Sequence, residues 1–212
     1  MMLINPFMVA HAIPASTKIL MPFTTASGFT DIANNHAITI TGTPSISTGR
    51  SKFGQGSLLV TSGSYLRIDS TPTLDVSANK AFTFEFWVYC TTDGGLLSMR
   101  DTADYAPMVL NKGYVLIGNA ALSDWAFISN SLETDQWIHV ALVFDGANIK
   151  EYINGIQTGE VVTHPNWAAG NRFLYIGNDV FGLGGAECSI NDLRISNTAV
   201  YTANFTPPTS PF

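Results

Sequence analysis

The clearest pattern in the chain is a strict alternation of side chains in WIHVALVF at 137–144, with largely apolar residues in both alternating sets. A repeat of two residues predicts a strand. Apolar side chains on both faces predict that other layers cover this strand from above and below. Asp-Gly at 145–146 and Asn-Gly at 154–155 are turn signals, because glycine adopts positive φ without steric cost. With a further strand at 149–153, the sequence predicts a meander of three strands.

Short strand signals continue along the rest of the chain. The segments between them are rich in Gly, Ser, Thr, Asn and Asp, the residues that turns favour. No window shows a sustained apolar repeat of 3.6 residues, so helix is limited to a turn or two, with 198–204 as the candidate. Many short strands with frequent turns predict a sandwich or a barrel. The predicted strands are 18–23, 37–41, 57–61, 65–68, 81–90, 96–99, 107–110, 114–117, 125–128, 172–176 and 187–196.

In two of these strands the polarity of the two faces predicts what surrounds the strand. In AFTFEFWVYC at 81–90, three phenylalanines share a wholly apolar face, whereas Glu85 lies on an amphipathic one. We therefore expect the second face to line a concave surface or to be covered by a partner. In ECSINDLRIS at 187–196, polar and apolar residues mix on both faces. This mixture indicates a register change or a bulge.

Composition narrows the class of protein. The chain has 212 residues, of which 12% are charged and 46% hydrophobic, which is typical of one globular domain. Its net charge is −6, and its ten Lys and Arg residues are scattered singly. Because nucleic acids and anionic membranes attract clustered cations, neither is an expected partner. No apolar run approaches the roughly 20 residues of a membrane-spanning helix.

The two cysteines and the histidines give no catalytic motif. Cys90 and Cys188 allow one disulfide bridge, and two buried free thiols are the favoured interpretation. His139 alternates with Trp137 and Ala141, which predicts a core or interface histidine. The sequence contains no G-x-S-x-G, H-E-x-x-H, phosphate-binding loop or C-x-x-C.

The first residues predict an arm outside the sandwich, with the arm at 1–16 and the sandwich at 17–212. The triplet Ala-His-Ala at 10–12 has the spacing of a signal-peptide cleavage site, but no Lys or Arg precedes Lys18. We expect the arm to be retained and to dock on a partner, since free chain ends usually fray. The predicted docking side chains are Met1, Met2, Leu3, Ile4, Phe7, Met8 and Val9.

Several short motifs follow one another in a recognisable order. They are FTDIANNH (29–36), SKFGQGSLLV (51–60), YLRI (65–68), FTFEFWVY (82–89), QWIHVALV (136–143), YING (152–155), LYIGN (174–178) and INDLRIS (190–196). This series resembles the laminin-G-like branch of the concanavalin A-like lectin and glucanase superfamily, as it occurs in bacteriophage tail and virion proteins. The C-terminal YTANFTPPTSPF is particularly similar to the phage members.

The resemblance implies an all-β jelly roll of two antiparallel sheets in which the first and last strands are neighbours. It does not fix the function, because this fold carries lectins, hydrolases and structural modules. Our main hypothesis is a non-enzymatic bacteriophage virion protein that displays the jelly roll on the particle surface, as a capsid decoration or a tail-fibre component. Its partners would be other virion proteins and further copies of itself in a homo-oligomer. The alternative is a glycan-binding adhesin that recognises host surface polysaccharide.

The acidic residues argue against a glycosidase. Glucanases of this fold carry two or three acids that alternate along one strand, because retaining hydrolysis needs two carboxyl groups about 5 Å apart. Glu85 is the only acid in the strand at 81–90. We therefore expect no catalytic residues.

Calcium is the cofactor that the resemblance implies. Some members of the superfamily bind it with acidic and amide side chains, and the matching positions here are Asp31, Asn34, Asn191 and Asp192. Oxygen ligands of this kind are those that Ca²⁺ prefers. Related sequences often have two adjacent acids where this chain has Asn191-Asp192, so one charge is missing. The alternative is that Asp31 opens a turn and Asp192 pairs with an arginine.

A sugar site would combine an aromatic ring with amide side chains. Trp167 lies in a loop-like segment with His164 and Asn166, and Trp125 is a second candidate. The alternative is that each tryptophan fills an end of the sandwich beneath its own loop, since large aromatic side chains are usually mostly buried.

Overall fold

The fold is an antiparallel β-sandwich. The computed structural model describes residues 12–74, 80–100, 108–118, 125–130, 132–163, 173–178 and 185–212. Within these ranges no helix is long and apolar enough to cross a membrane. A single 3-10 turn occurs in this part of the chain, at Pro72–Leu74, and the strands are β1 (Thr17–Met21), β2 (Ile38–Thr41), β3 (Ser45–Ser47), β4 (Ser57–Val60), β5 (Tyr65–Ile68), β6 (Phe82–Cys90), β7 (Gly95–Ser98), β8 (Met108–Asn111), β9 (Tyr114–Gly118), β10 (Trp125–Ser129), β11 (Ile138–Phe144), β12 (Asn148–Ile153), β13 (Ile156–Thr163), β14 (Leu174–Ile176) and β15 (Cys188–Ser196).

The strands pair into two sheets. Sheet A has the order β13-β12-β11-β6-β15-β4-β3, and β1 also pairs with β15. Sheet B has the order β10-β9-β8-β7-β14-β5-β2. The first and last strands are therefore neighbours, as the jelly-roll resemblance implies, and the two-sheet all-β prediction is confirmed.

The predicted meander forms the centre of sheet A. All seven residues of β11 are buried, and β11 pairs with β12, which pairs with β13. The phenylalanines of β6 face the core between the sheets. Cys90 and Cys188 lie opposite each other on β6 and β15 as buried free thiols, which confirms that interpretation.

Three local features test the finer predictions. The mixed pattern at 187–196 is a bulge: the register of β15 shifts between Asn191 and Arg194, and Asp192 has a φ of +60°. The strand β3 was not predicted, because its three residues are too few to show a period. The helical turn predicted at 198–204 is wrong, since this segment is irregular.

The amphipathic face of β6 is covered by residues 197–212, here called the C-terminal segment. The hydroxyl of Thr83 donates to the carbonyl of Thr198 at 2.9 Å. The amide of Val200 donates to the same hydroxyl at 3.0 Å. This amide therefore bonds to a side chain of β6 and does not form a helical hydrogen bond. The amide of Phe205 donates to the carbonyl of Gly155 at 2.9 Å. The expected covering partner of this face is therefore the chain itself.

Gly155 makes this close approach possible. Its φ is +78°, and a Cβ atom there would lie 1.9 Å from the carbonyl oxygen of Phe205. The Asn-Gly turn therefore closes the β12–β13 hairpin, and its glycine also allows the C-terminal segment to pack closely against the turn.

A buried carboxylate lies beneath the C-terminal segment. Glu85 is fully buried, and its oxygens accept hydrogen bonds from Arg194 Nε at 2.8 Å and from the Tyr201 hydroxyl at 2.7 Å. His139 Nε2 lies 3.5 Å from the same carboxylate, and His139 is fully buried, as predicted. Burial alone would raise the pKa of Glu85, but His139, Arg194 and Tyr201 together hold it below its usual value.

Aromatic contacts extend this attachment. The rings of Tyr201 and Phe205 stack with centroids 3.4 Å apart. The guanidinium of Arg194 lies 3.7 Å from the ring centroid of Phe212, and the amide of Phe212 donates to Asp192 at 2.9 Å. The two contacts of Phe212 join the C-terminal segment to β15. The stack of Tyr201 and Phe205 connects two residues within the segment.

We expect Arg194→Met to lower the free energy of unfolding by about 3 kcal/mol, because it leaves the Glu85 carboxylate buried without its cation. The double variant Glu85→Gln/Arg194→Met should recover part of this loss, since no charge is then buried. Urea unfolding of the two variants measures both effects.

Arg67 provides the matched control. It forms an ion pair with Asp69 at 2.7 Å in which the Asp69 side chain is 56% exposed. Arg67→Met should therefore change stability by less than about 1 kcal/mol. Equal losses from Arg194→Met and Arg67→Met would show that the buried pair does not anchor the C-terminal segment.

Candidate functional site

The residues predicted to bind calcium lie in the turn after β1 and on β15, and the first of them is a buried hydrogen-bond acceptor. Asp31 is fully buried. Its carboxylate accepts from the amides of Leu20 at 2.9 Å and Ala33 at 3.0 Å, and more distantly from those of Asn34 and His36. His36 Nδ1 lies 2.6 Å from its second oxygen. Asp31 therefore joins the turn after β1 to β1 itself.

The side chains of Asn34 and Asn191 also form hydrogen bonds with backbone groups. The Asn34 amide group donates to the carbonyl of Lys18 at 2.8 Å. Asn191 donates to the carbonyl of Pro22 at 2.7 Å and accepts from the amide of Lys52 at 3.1 Å. Among the described residues no group of three or more His, Cys, Asp or Glu side chains could hold a metal ion. The hydrogen bonds give Asn34 and Asn191 structural roles, and the calcium site stays a prediction.

Asp192 lines a cleft of about 380 Å³ beside Phe212. One of its oxygens accepts from the amide of Phe212, and the other has no hydrogen-bond partner in the described structure. Burial raises the pKa of Asp192 to about 6. Arg194 acts in the opposite direction and lowers this pKa. No ion pair joins Asp192 to an arginine among the described residues, and Arg172 lies outside them.

Most of the predicted sugar-binding and docking residues lie outside the described residues. This applies to His164, Asn166 and Trp167 and to the docking side chains Met1, Met2, Leu3, Ile4, Phe7, Met8 and Val9. Both predictions therefore stay predictions. For Trp125 the structure describes the backbone, which begins β10 and pairs with Gly118.

The strand that contains Trp125 carries an exposed aromatic pair. The rings of Phe127 on β10 and Tyr114 on β9 stack with centroids 5.3 Å apart and planes at 28°. Phe127 is 55% exposed. Both side chains lie on the outer face of sheet B, because Val115 and Ile128, their neighbours in the chain, belong to the core.

A cleft of about 290 Å³ adjoins this pair, and we call it the β8–β9 cleft. Its lining residues are Asp93, Gly94, Asn111, Gly113 and Tyr114. The amide oxygen of Asn111 is buried and accepts no hydrogen bond from the described residues. The Asp93 carboxylate forms an ion pair of 2.6 Å with Lys112 at the rim. The cleft is thus lined by an aromatic ring, by a carboxylate and by Asn111, whose amide oxygen has no partner in the described structure.

Backbone hydrogen bonds fix the shape of this cleft on both sides. The amide of Lys112 donates to the carbonyl of Gly94, and the amide of Asn130 donates to the carbonyl of Gly113, both at 3.2 Å. Gly94 has a φ of +150°, and a Cβ atom there would lie 2.4 Å from the amide nitrogen of Ala186. Only glycine permits this approach.

Glu151 on β12 is connected to the cleft through Asn130. The side-chain amide of Asn130 donates to one oxygen of Glu151 at 2.7 Å. Glu151 is fully buried, and this burial raises its pKa to about 7. Glu151 thus binds the side chain of Asn130, and the backbone amide of Asn130 donates to Gly113.

The sequence did not point to Tyr114, Phe127, Asn111 or Asp93. The alternation of Trp125 and Phe127 across a small residue is a usable signal for an aromatic face. The contact between Phe127 and Tyr114 depends on the register of β10 and β9, in which Phe127 lies opposite Leu116 and diagonal to Tyr114. The sequence does not reveal this register.

Asp31 gives a direct test of the calcium prediction. We expect Asp31→Ala to lower the melting temperature equally in calcium and in EDTA, because the carboxylate binds amide groups. The wild-type melting temperature should not depend on calcium. A fall in EDTA to the level of the variant would instead assign Asp31 to a calcium site.

Glu151 predicts a specific pH dependence of stability. Its folded pKa of about 7 lies above the usual 4.5, so the folded state favours the protonated form. The resulting stabilisation is complete below about pH 4.5 and is lost as the pH rises through 7, at a cost of about 3 kcal/mol. Glu151→Gln should therefore be more stable than wild type at pH 8 and equal to it at pH 4.5.

Chemical denaturation across this pH range measures the effect, with Glu160→Gln on the exposed face of β13 as control. The control should parallel wild type at every pH. An equal gain at pH 4.5 and pH 8 would contradict a titrating Glu151.

Comparisons with solved structures agree with the fold. Domain 4 of AbnA, a GH43 extracellular arabinanase from Geobacillus stearothermophilus, in complex with arabinotriose, is 20% identical with a TM-score of 0.70 and covers 88% of this chain and 94% of its own. The binding domain of Paraclostridial Mosquitocidal Protein 1 is 13% identical, with a TM-score of 0.67 and coverage of 88% and 50%. The receptor binding domain of botulinum neurotoxin D is 11% identical, with a TM-score of 0.66 and the same coverage.

These identities establish the fold alone, and the chain spans about half the length of the two toxin domains. A search of curated proteins finds no significant match to the sequence. A laminin-G family model matches residues 60–204, well over half of the chain. The protein therefore belongs to the concanavalin A-like lectin/glucanases superfamily.

Proposed function

We propose that this protein is a non-catalytic carbohydrate-binding module whose ligand occupies the β8–β9 cleft and the adjoining Tyr114–Phe127 pair. The observation that carries the proposal is the buried, unsatisfied amide oxygen of Asn111 beside an exposed aromatic stack. This is the adhesin alternative from the sequence, at a different site from the one expected there.

The chemistry of a sugar ring matches this arrangement. One face of many pyranose and furanose rings presents C–H groups, which pack on aromatic rings, while the hydroxyls at the edge form hydrogen bonds. A hydroxyl donated to Asn111 would satisfy its amide oxygen, and a buried acceptor without a donor is costly. Asp93 at the rim accepts a second hydroxyl.

The structural neighbours support a binding role. The arabinanase domain was solved with arabinotriose, and the neurotoxin domain is a receptor binding domain. None of the three neighbours named above is a virion protein, so the hypothesis of capsid or tail partners on a particle surface gains no support from them.

The position of Glu85 supports a non-catalytic role. It is the only acid on β6, and it is buried and paired with Arg194 beneath the C-terminal segment. A general acid has to reach the glycosidic oxygen, which this packing prevents.

A panel of neutral oligosaccharides that includes arabinotriose identifies the ligand, and calorimetry then gives its Kd. We expect Tyr114→Ala to weaken binding at least tenfold, because it removes the aromatic surface. Gly113→Val should have a similar effect, since a Cβ atom at Gly113 meets no atom within 4 Å and extends into the cleft.

Tyr65→Ala is the matched control. Tyr65 pairs edge-on with Tyr175 at 5.5 Å and lies four strands from β9, a distance of about 19 Å. Its Kd should equal that of wild type. Equal loss in the Tyr65 and Tyr114 variants, or no binding of any sugar in the panel, would contradict the proposed site.

A further inference from the structure

A second aromatic surface lies on sheet A, near the start of β11. The ring of Tyr89 on β6 contacts the ring of Trp137 edge-on, with centroids 5.9 Å apart. The guanidinium carbon of Arg50 lies 4.3 Å from the centroid of Tyr89. All three side chains are half-buried and so keep part of their surface in solvent.

The cations of this surface lie over aromatic rings. No ion pair joins Arg50 or Lys52 to a carboxylate among the residues that the structure describes. The amino group of Lys52 lies 3.6 Å from the ring centroid of Trp87, and burial lowers its pKa. In a chain of net charge −6, this loop therefore carries two cations without an ion pair in the described structure.

The loop that carries these cations is fixed by hydrogen bonds. The hydroxyl of Ser51 donates to the carbonyl of Gly56 and accepts from its amide, both at 3.0 Å. The amide of Lys52 donates to Asn191 on β15, and the hydroxyl of Ser57 donates to the carbonyl of Arg50. These bonds fix the backbone of the loop, so only side-chain freedom remains to be lost when a ligand binds.

We propose that the surface of Arg50, Tyr89 and Trp137 is a binding site for a sugar that carries an anionic group, a carboxylate or a sulfate. The contact with the ring of Tyr89 leaves the N–H groups of Arg50 without a carboxylate partner in the described structure, and a guanidinium binds a planar or tetrahedral anion with two hydrogen bonds. Trp137 supplies the ring on which the sugar packs.

This site is separate from the β8–β9 cleft, because it lies on the outer face of the opposite sheet. In the described part of the chain its cations form no ion pair with a carboxylate, whereas the Asp93 carboxylate lines the β8–β9 cleft. The two sites therefore differ in ligand class: neutral sugars at sheet B and acidic sugars at sheet A. The acidic site does not depend on the proposed neutral one.

Calorimetry with trigalacturonate, sulfated galactotriose and unmodified galactotriose tests the proposal on the full-length protein at low salt. We expect an anionic trisaccharide to bind at least tenfold more tightly than galactotriose, and the affinity to fall as salt rises. The comparison of the two anionic sugars identifies the group that is recognised.

Arg50→Gln should weaken that binding at least tenfold, and Arg50→Lys should lose part of it because lysine cannot form the bidentate contact. Arg67→Gln is the matched control, since Arg67 also lies over an aromatic ring, 5.0 Å from the centroid of Phe173, but is paired with Asp69. Its Kd should equal that of wild type. The melting temperature of each variant confirms that it is folded.

Three results would overturn the proposal: no binding of either anionic sugar, equal binding of galactotriose, or equal loss in the Arg50 and Arg67 variants. The Tyr114→Ala variant separates the two sites. It should bind the acidic sugar normally whether or not the β8–β9 cleft binds neutral sugars.

Discussion

The burial of the Glu85 carboxylate is the constraint on which the arrangement of this sandwich depends. A carboxylate without water is stable only when cations and hydrogen-bond donors replace the solvent. Arg194 comes from the neighbouring strand, but the Tyr201 hydroxyl comes from the C-terminal segment. The segment is therefore needed to complete the environment of a charge at the centre of sheet A.

Because the C-terminal segment packs on sheet A, the outer faces of the two sheets differ in what covers them. The outer face of sheet A is covered by Tyr201, Phe205 and the residues around them, which pack on Ala141, Val143 and Tyr152. The outer face of sheet B instead carries the stacked Tyr114 and Phe127 at its edge. On sheet A, half-exposed aromatic side chains occur beside the cations of the loop before β4. The C-terminal segment therefore covers one part of the outer face of sheet A, and the Tyr89–Trp137 pair lies on another part of that face.

Much of the fold could be predicted because the period of two residues is a local property. The two apolar faces of β11 correctly predicted a strand within a layered structure, and the mixed pattern of β15 correctly predicted its bulge. The covering of sheet A by the chain's own C-terminal segment was not predictable in this way. That segment has no period, and its attachment depends on single contacts such as Val200 to Thr83.

The sites were harder to predict because their chemistry depends on which partners each side chain has. Asp31 has the residue type of a calcium ligand, but backbone amides, which no sequence pattern displays, occupy its oxygens. Phe127 and Tyr114 are 13 positions apart and meet only through the register of β9 and β10. Arg50 meets Tyr89 through a loop that folds back over the sheet.

Amide hydrogen exchange tests most directly whether the C-terminal segment is an integral part of the sandwich. The amides of Val200, Phe205 and Phe212 are hydrogen-bonded to Thr83, Gly155 and Asp192. They should exchange as slowly as those of β6 and β11, through global unfolding. Exchange of these three amides at the rate of an unstructured peptide, while β6 and β11 stay protected, would contradict this account.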